Sequence, residues 1–338
     1  MRLAELGWND RFAAAYQPWH GKAHVFPGRV AIEFNQNFRI YVEEGEIDAV
    51  TAGRLKHRAR GRTELPAVGD WVAVRKRPDE DRGVIQTVLP RQSAFTRRAA
   101  GDVTGEQVVA ANVDVVFVVM GLDRDYNLRR LERYLLMARE SGASPAIILT
   151  KPDLCSDLSA HLNDVTTLAG EVVVHVVNPR AGEGLEHLGR HLGPGRTAAL
   201  LGSSGVGKST IINRLVGADI RRTQEVRPAD SRGRHTTTHR ELVVLPDGGL
   251  VIDTPGMREL QLWDAADSVG ETFEEIEALA RSCHFTDCRH RDEPRCAVKA
   301  AVADGTILPE RLEGYLKVQN ELAELARQQE ERARKTKR

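Results

Sequence analysis

The chain has 338 residues, 41% hydrophobic and 28% charged, with 48 basic and 48 acidic side chains and a formal net charge of +0. That length fits two or three domains, and the balance is that of a globular chain rather than a disordered or fibrous one. Zero net charge argues neither for nor against a nucleic-acid partner; such a partner has to be met by a local basic patch. No run approaches the eighteen apolar residues of a membrane span, and Met1-Arg2-Leu3-Ala4-Glu5 lacks a signal-peptide core. Of the four cysteines, Cys155 is alone while Cys283, Cys288 and Cys296 cluster. This argues against a secreted disulfide framework and for a reduced compartment. The expectation is a cytoplasmic monomer with no membrane association.

Residues 1–24 read as an N-terminal extension, with Gly7-Trp8-Asn9-Asp10 leading into a helix-like stretch from Arg11 to Tyr16. Over residues 25–105 the pattern turns to short strand-like runs broken by Gly, Asp and Pro. Examples are Arg29 to Ile32, Arg39 to Val42, Asp70 to Val74 and Gly83 to Val88. Strands so spaced, without long helices, predict a small β-barrel. Arg54, Lys56, Arg58, Arg60 and Arg62 alternate through it, and Arg91, Arg97 and Arg98 follow. On one barrel face they could line a path for RNA phosphates; the alternative is a solvated charged strand.

Residues 106–265 alternate strand and helix. Val113 to Val119 is a continuous β-branched run, as in a strand buried on both faces. Asn127 can cap a helix to about Ser141, stopped by Gly142. Strands follow at Pro145 to Leu149, Val172 to Val177 and Thr197 to Leu201. Glu241 to Leu245 and Leu250 to Asp253 form a hairpin about Pro246-Asp247-Gly248-Gly249. The expected fold class is multidomain α/β with a Ras-like doubly wound sheet. Residues 266–338 hold a short helix, a Cys/His cluster, a charged helix from about Pro309 and a basic tail ending at Arg338.

Gly202-Ser203-Ser204-Gly205-Val206-Gly207-Lys208-Ser209 matches the phosphate-binding loop G-x-x-x-x-G-K-[ST]. Its glycines let backbone N–H groups turn inward around phosphates, Lys208 sets a charge against the β/γ-phosphates, and the Ser209 hydroxyl is an Mg²⁺ ligand. The helix from Thr210 offers its positive end. Downstream, Asp253-Thr254-Pro255-Gly256 supplies a second Mg²⁺ contact at Asp253 and, at Gly256, an N–H placed to sense the γ-phosphate. Met257 stands where many GTPases carry a polar residue that orients water. Between the two motifs, Gly233-Arg234-His235-Thr236-Thr237-Thr238-His239 occupies the place of a switch loop. One of its threonines, with Thr237 as the choice, can reach Mg²⁺, although spacing alone does not select it. His235 is a candidate to orient or deprotonate water; the alternative is a structural contact.

Thr150-Lys151-Pro152-Asp153 ends a buried strand and resembles a guanine-reading loop. Asp153 can accept from guanine N1–H and the exocyclic amine, a donor pair adenine lacks, so one carboxylate discriminates strongly. Lys151 is expected along the base. Thr150 replaces the usual Asn, keeping a hydroxyl with shorter reach. The last guanine contact, ordinarily Ser-Ala, falls at Asn178-Pro179. The guanine loop precedes the phosphate loop and the Asp-Thr-Pro-Gly motif, the order of a circularly permuted GTPase. Separately, Cys283-x4-Cys288-x-His290-x5-Cys296 offers three thiolates and an imidazole, a closed tetrahedral set for structural Zn²⁺. His284 competes for the histidine role but sits beside Cys283.

Together these residues resemble the small ribosomal subunit biogenesis GTPase RsgA (YjeQ) family. The resemblance rests on Pro66 to Asp70, Leu89-Pro90-Arg91, Ala111 to Asp114, the permuted motif order, Gly233 to Thr238 and the Cys/His cluster. It implies an N-terminal OB-fold, a permuted GTPase domain and a C-terminal zinc domain. It also implies GTP/GDP binding with Mg²⁺, one zinc ion, and the small ribosomal subunit and its rRNA as partners, with hydrolysis stimulated on the subunit. Thr150, Asn178-Pro179 and the extended N-terminus depart from the family pattern. Two other readings compete: a signalling GTPase with protein-binding accessory domains, and an RNA-binding protein whose nucleotide is never turned over.

Overall fold

In a computed structural model the described residues are 2–34, 36–98, 106–203, 205–217, 240–253, 274–285, 288–291 and 293–307, with residues 309, 312, 313, 315, 316, 319, 320 and 327 beyond them. Two compact units result. One holds the segments through residue 99 and from 104 to 258; the other holds residues 100–103 and everything from 259 onward.

The first unit begins with helix α1 (Asp10–Tyr16), capped by the Asn9 side chain, which accepts from the Phe12 amide at 3.2 Å. Trp8 and Phe12 lay their rings against Trp71, at centroid distances of 4.7 and 5.8 Å. Strands β1 (Val25–Phe34), β2 (Asn37–Val42), β3 (Gly45–Thr51), β4 (Trp71–Arg75) and β5 (Gly83–Val88) pair β1–β2–β3–β5–β4, and β4 returns to β1. The circuit closes a five-stranded OB-like barrel. Val30, Phe38, Ile40, Val42, Val72, Val74 and Ile85 fill it.

The basic run behaves differently from its alternation. Gly53–Arg58 forms helix α2, so Arg54, Lys56 and Arg58 fan around a helix instead of sharing a strand face. Arg91 is not a free phosphate contact. It pairs bidentately with the fully buried Asp70, Nε and Nη2 each lying 2.7 Å from a carboxylate oxygen, and donates to the Thr63 and Leu65 carbonyls. The side chains of Arg97 and Arg98 lie outside the described residues.

After a two-stranded ribbon, β6 (Ala94–Arg98) with β7 (Glu106–Ala111), come β8 (Val115–Gly121), α3 (Leu128–Glu140), β9 (Ser144–Thr150), α4 (Leu158–Ala169), β10 (Val174–Val177), α5 (Glu186–Gly189), β11 (Thr197–Leu201) and α6 (Lys208–Val216). The hairpin β12 (Arg240–Val244) and β13 (Leu250–Asp253) ends this run. The sheet order is β10-β9-β8-β11-β13-β12; all neighbours are parallel except the hairpin. Crossover helices and the buried runs of β8, β9 and β11 account for that pattern. Strand β12 then pairs with β1 of the barrel, Ile32 opposite Glu241 and Glu33 opposite Arg240, so barrel and doubly wound sheet share one continuous strand ladder.

One buried cation ties these parts together. Arg29, on β1, donates through Nε to Gly69 O at 3.2 Å, through Nη2 to Asn112 O at 3.0 Å, and through Nη1 to Leu6 O. The acceptors belong to the barrel, the entry to β8 and the N-terminal segment. Burial pushes the guanidinium down to about 10, against the pull of Asp114 and Asp70, so it stays charged at neutral pH.

The second unit carries α7 (Glu274–Ala280) and α8 (Ala297–Ala303) around a small core of Ile276, Val298, Ala301, Ile307 and Tyr315. The described residues of the charged segment from Pro309 are helical, and the tail from 331 lies outside the described residues. Among the described residues no helix is long and apolar enough to cross a membrane.

Two outcomes follow. Arg29→Met keeps bulk but leaves the carbonyls of Leu6 and Asn112 without a donor and Gly69 O with the Asn112 amide alone, so it is expected to cost about 3 kcal/mol or more. Urea denaturation of the full chain measures this, and a loss below about 1 kcal/mol contradicts it. The second concerns His175 on β10 and His191 beyond α5, whose Nε2 atoms lie 2.9 Å apart. Burial, then His191, His187 and Arg190, hold His175 below its ordinary value; burial and then Arg196 do the same to His191. The unfolded chain therefore binds more protons once pH drops below about 6.5. The stability from keeping these rings neutral is present above that pH and lost as pH falls. The urea midpoint should decline between about pH 7 and 5.5, and less steeply in His191→Gln. An unchanged decline in the variant contradicts the assignment.

Candidate nucleotide site and metal cluster

The nucleotide motifs begin at the C-terminal ends of three parallel strands, β9, β11 and β13, where doubly wound sheets place ligands. Strand β11 runs into the phosphate loop. Gly202 takes φ 154°, and a Cβ there would lie 2.1 Å from Val119 O, so only glycine lets the loop pass the end of β8. Gly205 and Gly207 also take left-handed φ, 79° and 105°, and Gly207 caps α6. Val206 is buried, Ser209 is exposed on the first turn of α6 and Thr210 is half-buried. The helix begins at Lys208, two residues earlier than its expected start at Thr210. Lys208 is 9% exposed; its ammonium donates to Gly202 O and, at 2.6 Å, to Ser203 O, which turns it back over the loop. Asp253 ends β13, the strand beside β11. A hydroxyl at Ser209 and a carboxylate at Asp253 are the hard oxygen donors that suit Mg²⁺. Ser204, His235, Thr237 and Gly256 lie outside the described residues, as does Met257.

The guanine-loop candidate leaves β9 two strands away. Thr150 is fully buried, and its hydroxyl donates to Val206 O at 2.7 Å. The hydroxyl thereby ties the Thr-Lys-Pro-Asp loop to the phosphate loop, so the shorter side chain in place of Asn still reaches a partner. Lys151 takes φ 60°, an uncommon conformation for a side-chain-bearing residue, and its ammonium meets Asp123 Oδ2 at 2.7 Å. Asp123 is pushed up by burial, but the Lys151 hydrogen bond and the backbone amide of Asp125 outweigh this and hold it below its ordinary value. Pro152 is half-buried and Asp153 is exposed. The Asn178 amide donates to Asp153 Oδ1 at 3.2 Å.

Asp123 was not singled out by its residue pattern. It lies in Gly121-Leu122-Asp123-Arg124-Asp125 after β8, and the available signal was an acidic pair at a strand's C-terminal end. Asn178, which with Pro179 stands where the last guanine contact is expected and departs from the usual Ser-Ala pair, sits beside the carboxylate of Asp153.

In the second unit, one ligand atom from each of Cys283, Cys288, His290 and Cys296 lies within 4.8 Å of all the others. Cys283 Sγ is 3.8 Å from Cys296 Sγ and 3.6 Å from His290 Nδ1. Tetrahedral zinc with bonds of about 2.3 Å to sulfur and about 2.0 Å to nitrogen gives edges of about 3.5–3.8 Å, so the donor set fits the ion with no position left open. Burial holds His290 below its ordinary value, which favours the neutral imidazole a metal needs. Cys296 also caps α8, its sulfur accepting from the Lys299 amide at 3.4 Å. His284 is exposed, edge-on to Phe285 at 4.8 Å, and is not among the four.

Comparison with known proteins gives this geometry a context. Residues 88–263 match the RsgA GTPase family model. An Opitutus terrae protein named Small ribosomal subunit biogenesis GTPase RsgA is 51% identical over 336 residues, 97% of this chain and 91% of its own length. The chain belongs to the RsgA GTPase family. A Syntrophotalea carbinolica protein of the same name is 43% identical over 98% of this chain and 92% of its own. The crystal structure of YjeQ from Thermotoga maritima matches this RsgA-family chain with TM-score 0.52 and 28% identity, covering 88% of this chain and 99% of that one. A solved structure titled as YloQ, a circularly permuted GTPase, shares the fold at TM-score 0.50 and 24% identity, covering 90% and 97%. A second model, described as a 50S ribosome-binding GTPase, matches residues 197–333 and so starts at β11, leaving the guanine loop upstream of it. The chain is therefore a GTP-hydrolysing enzyme with a circularly permuted domain and an OB-like barrel, and its Cys/His cluster fits structural zinc.

Elemental analysis of purified protein should find one zinc per chain. Cys288→Ser or chelation should melt the helices of the second unit while guanine-nucleotide binding persists, since this small segment needs the metal in place of a large core. Protein purified without zinc, or helical circular dichroism unchanged by chelation, contradicts this.

Proposed function

We propose that this enzyme acts in late maturation of the small (30S) ribosomal subunit, binding rRNA and hydrolysing GTP to GDP and phosphate as a subunit-dependent checkpoint. The observation that carries the reading is the Thr150–Val206 hydrogen bond. It joins a guanine loop and a phosphate loop that lie in permuted order, within a family whose relatives are named for small-subunit biogenesis. In this reading residues 25–105 and 266–338 are the RNA-binding and zinc domains around a GTPase domain at 106–265, preceded by an extension at 1–24. The protein works as a cytoplasmic monomer.

Within the site, Thr150, Lys151, Pro152 and Asp153 hold the guanine base. Residues Gly202 to Thr210, with Ser203, Ser204 and Val206 contributing backbone, wrap the phosphates. Mg²⁺, which neutralises charge developing on the phosphates when bound, is assigned to Ser209, Asp253 and Thr237. Lys208 adds a fixed cation, and Gly256 senses the γ-phosphate. His235 orients water, because the thioether of Met257 neither donates nor accepts usefully.

The test is GTP turnover with and without purified small subunits, with large subunits as a parallel arm. Selective stimulation by small subunits is expected, with binding that weakens steeply as salt rises. Equal rates in all arms contradict the proposal and favour a signalling GTPase. On saturating small subunits, His235→Ala should lose single-turnover hydrolysis while keeping GTP and subunit binding; wild-type chemistry in the variant removes His235 from catalysis.

A further inference from the structure

The amide of Asn178 lies against the carboxylate that reads guanine, and its surroundings leave it little freedom. Strands β9 and β10 are parallel with Val177 opposite Thr150, so the residues that follow them emerge side by side. Asn178 Oδ1 accepts from the Ala181 amide at 3.3 Å. That contact fixes which end of the side-chain amide faces inward, and Nδ2 is turned to Asp153 Oδ1 at 3.2 Å. The backbone around Asn178 is held too. Its N–H donates to Glu183 O at 3.0 Å, and its carbonyl accepts from Gly182 at 2.8 Å and Glu183 at 3.1 Å. The next two carbonyls, Pro179 O and Arg180 O, accept from Arg214 at 3.2 and 2.7 Å. Arg214 belongs to α6, the helix that starts at the phosphate loop, so the Asn178 loop is anchored to the phosphate-binding element itself.

Asp153 is exposed, and an exposed carboxylate samples several rotamers. Reading guanine requires both its oxygens to face N1–H and the exocyclic amine together. Each carboxylate oxygen has two acceptor positions, so Oδ1 can keep the Asn178 N–H and still accept one base donor. We infer that Asn178 is a positioning residue for guanine recognition, holding the Asp153 carboxylate in the orientation that reads N1–H and the 2-amino group. The inference rests on Asp153 reading the base.

The experiment measures equilibrium binding of GDP, inosine diphosphate and ADP to the zinc-loaded full chain by competition against a fluorescent guanine nucleotide. Asn178→Asp keeps the oxygen that accepts from Ala181 and replaces only the donor with an acceptor facing Asp153. It should weaken GDP about tenfold or more. Asn178→Ala should weaken it less, and Asn178→Ser should recover part of the loss by offering a hydroxyl donor. Inosine diphosphate lacks the 2-amino group, so its binding should fall less than that of GDP and the preference between them should shrink. GDP binding at wild-type strength in Asn178→Asp overturns the inference, and so does an equal loss for all three nucleotides. Asp153→Asn separates the two levels. If it moves selectivity toward xanthosine diphosphate while the Asn178 variants are silent, only the role of Asn178 falls. If it leaves the preference for GDP over ADP unchanged, the guanine-site reading falls with it.

Discussion

The guanidinium of Arg29 is the constraint on which the first unit depends. A charge with no solvent exposure is stable only when its donors are matched, and here three of them reach carbonyls from segments far apart in sequence, at Leu6, Gly69 and Asn112. Removing any of these segments from its place leaves a buried donor or acceptor unpaired. The N-terminal extension, the barrel and the entry to β8 are thus bound into one cooperative body. Asn112 reinforces the junction in a left-handed conformation, φ 54°, donating to Gly69 O at 3.0 Å and accepting from Gln92 N at 2.8 Å. The β1–β12 ladder adds backbone hydrogen bonds on the other side of β1.

That arrangement bears on function because β12 and β13 form one hairpin, and β13 ends at the Mg²⁺ candidate Asp253. The barrel is therefore one strand removed from a phosphate-side carboxylate. Across the sheet, the Thr150–Asp153 loop meets the Gly202–Ser209 loop through Thr150 and Val206, and the Asn178 loop meets α6 through Arg214. Circular permutation changes which chain segments are consecutive; it leaves these strand-end neighbours in place, because the site is made by sheet order and not by chain order.

Much of this was legible in the residues. The phosphate loop carries its geometry in its glycines, since Gly202, Gly205 and Gly207 all occupy left-handed φ that other side chains resist. The Asn127 cap, the β9 and β11 runs and the β12–β13 hairpin follow local rules of capping, buried strands and turns. The zinc cluster follows from spacing, and the choice of His290 over His284 from the awkwardness of adjacent ligands. What was not legible depends on pairing at a distance. Arg91 looked like a surface cation until Asp70, far earlier in the chain, supplied its buried partner. The alternating basic residues from Arg54 looked like a strand because spacing by two does not reveal a six-residue helix. Lys151–Asp123 and Asn178–Asp153 each join loops after different strands, and no local pattern announces such a pair.

The central claim is that loops in permuted order assemble a single guanine-specific site. Isothermal titration of the intact chain with GDP and with ADP, in the presence of Mg²⁺, tests it directly. The account predicts one GDP per chain with ADP weaker by at least about a thousandfold, since adenine offers the Asp153 carboxylate neither of the two donors that guanine presents. Comparable binding of ADP, or a stoichiometry other than one, contradicts it.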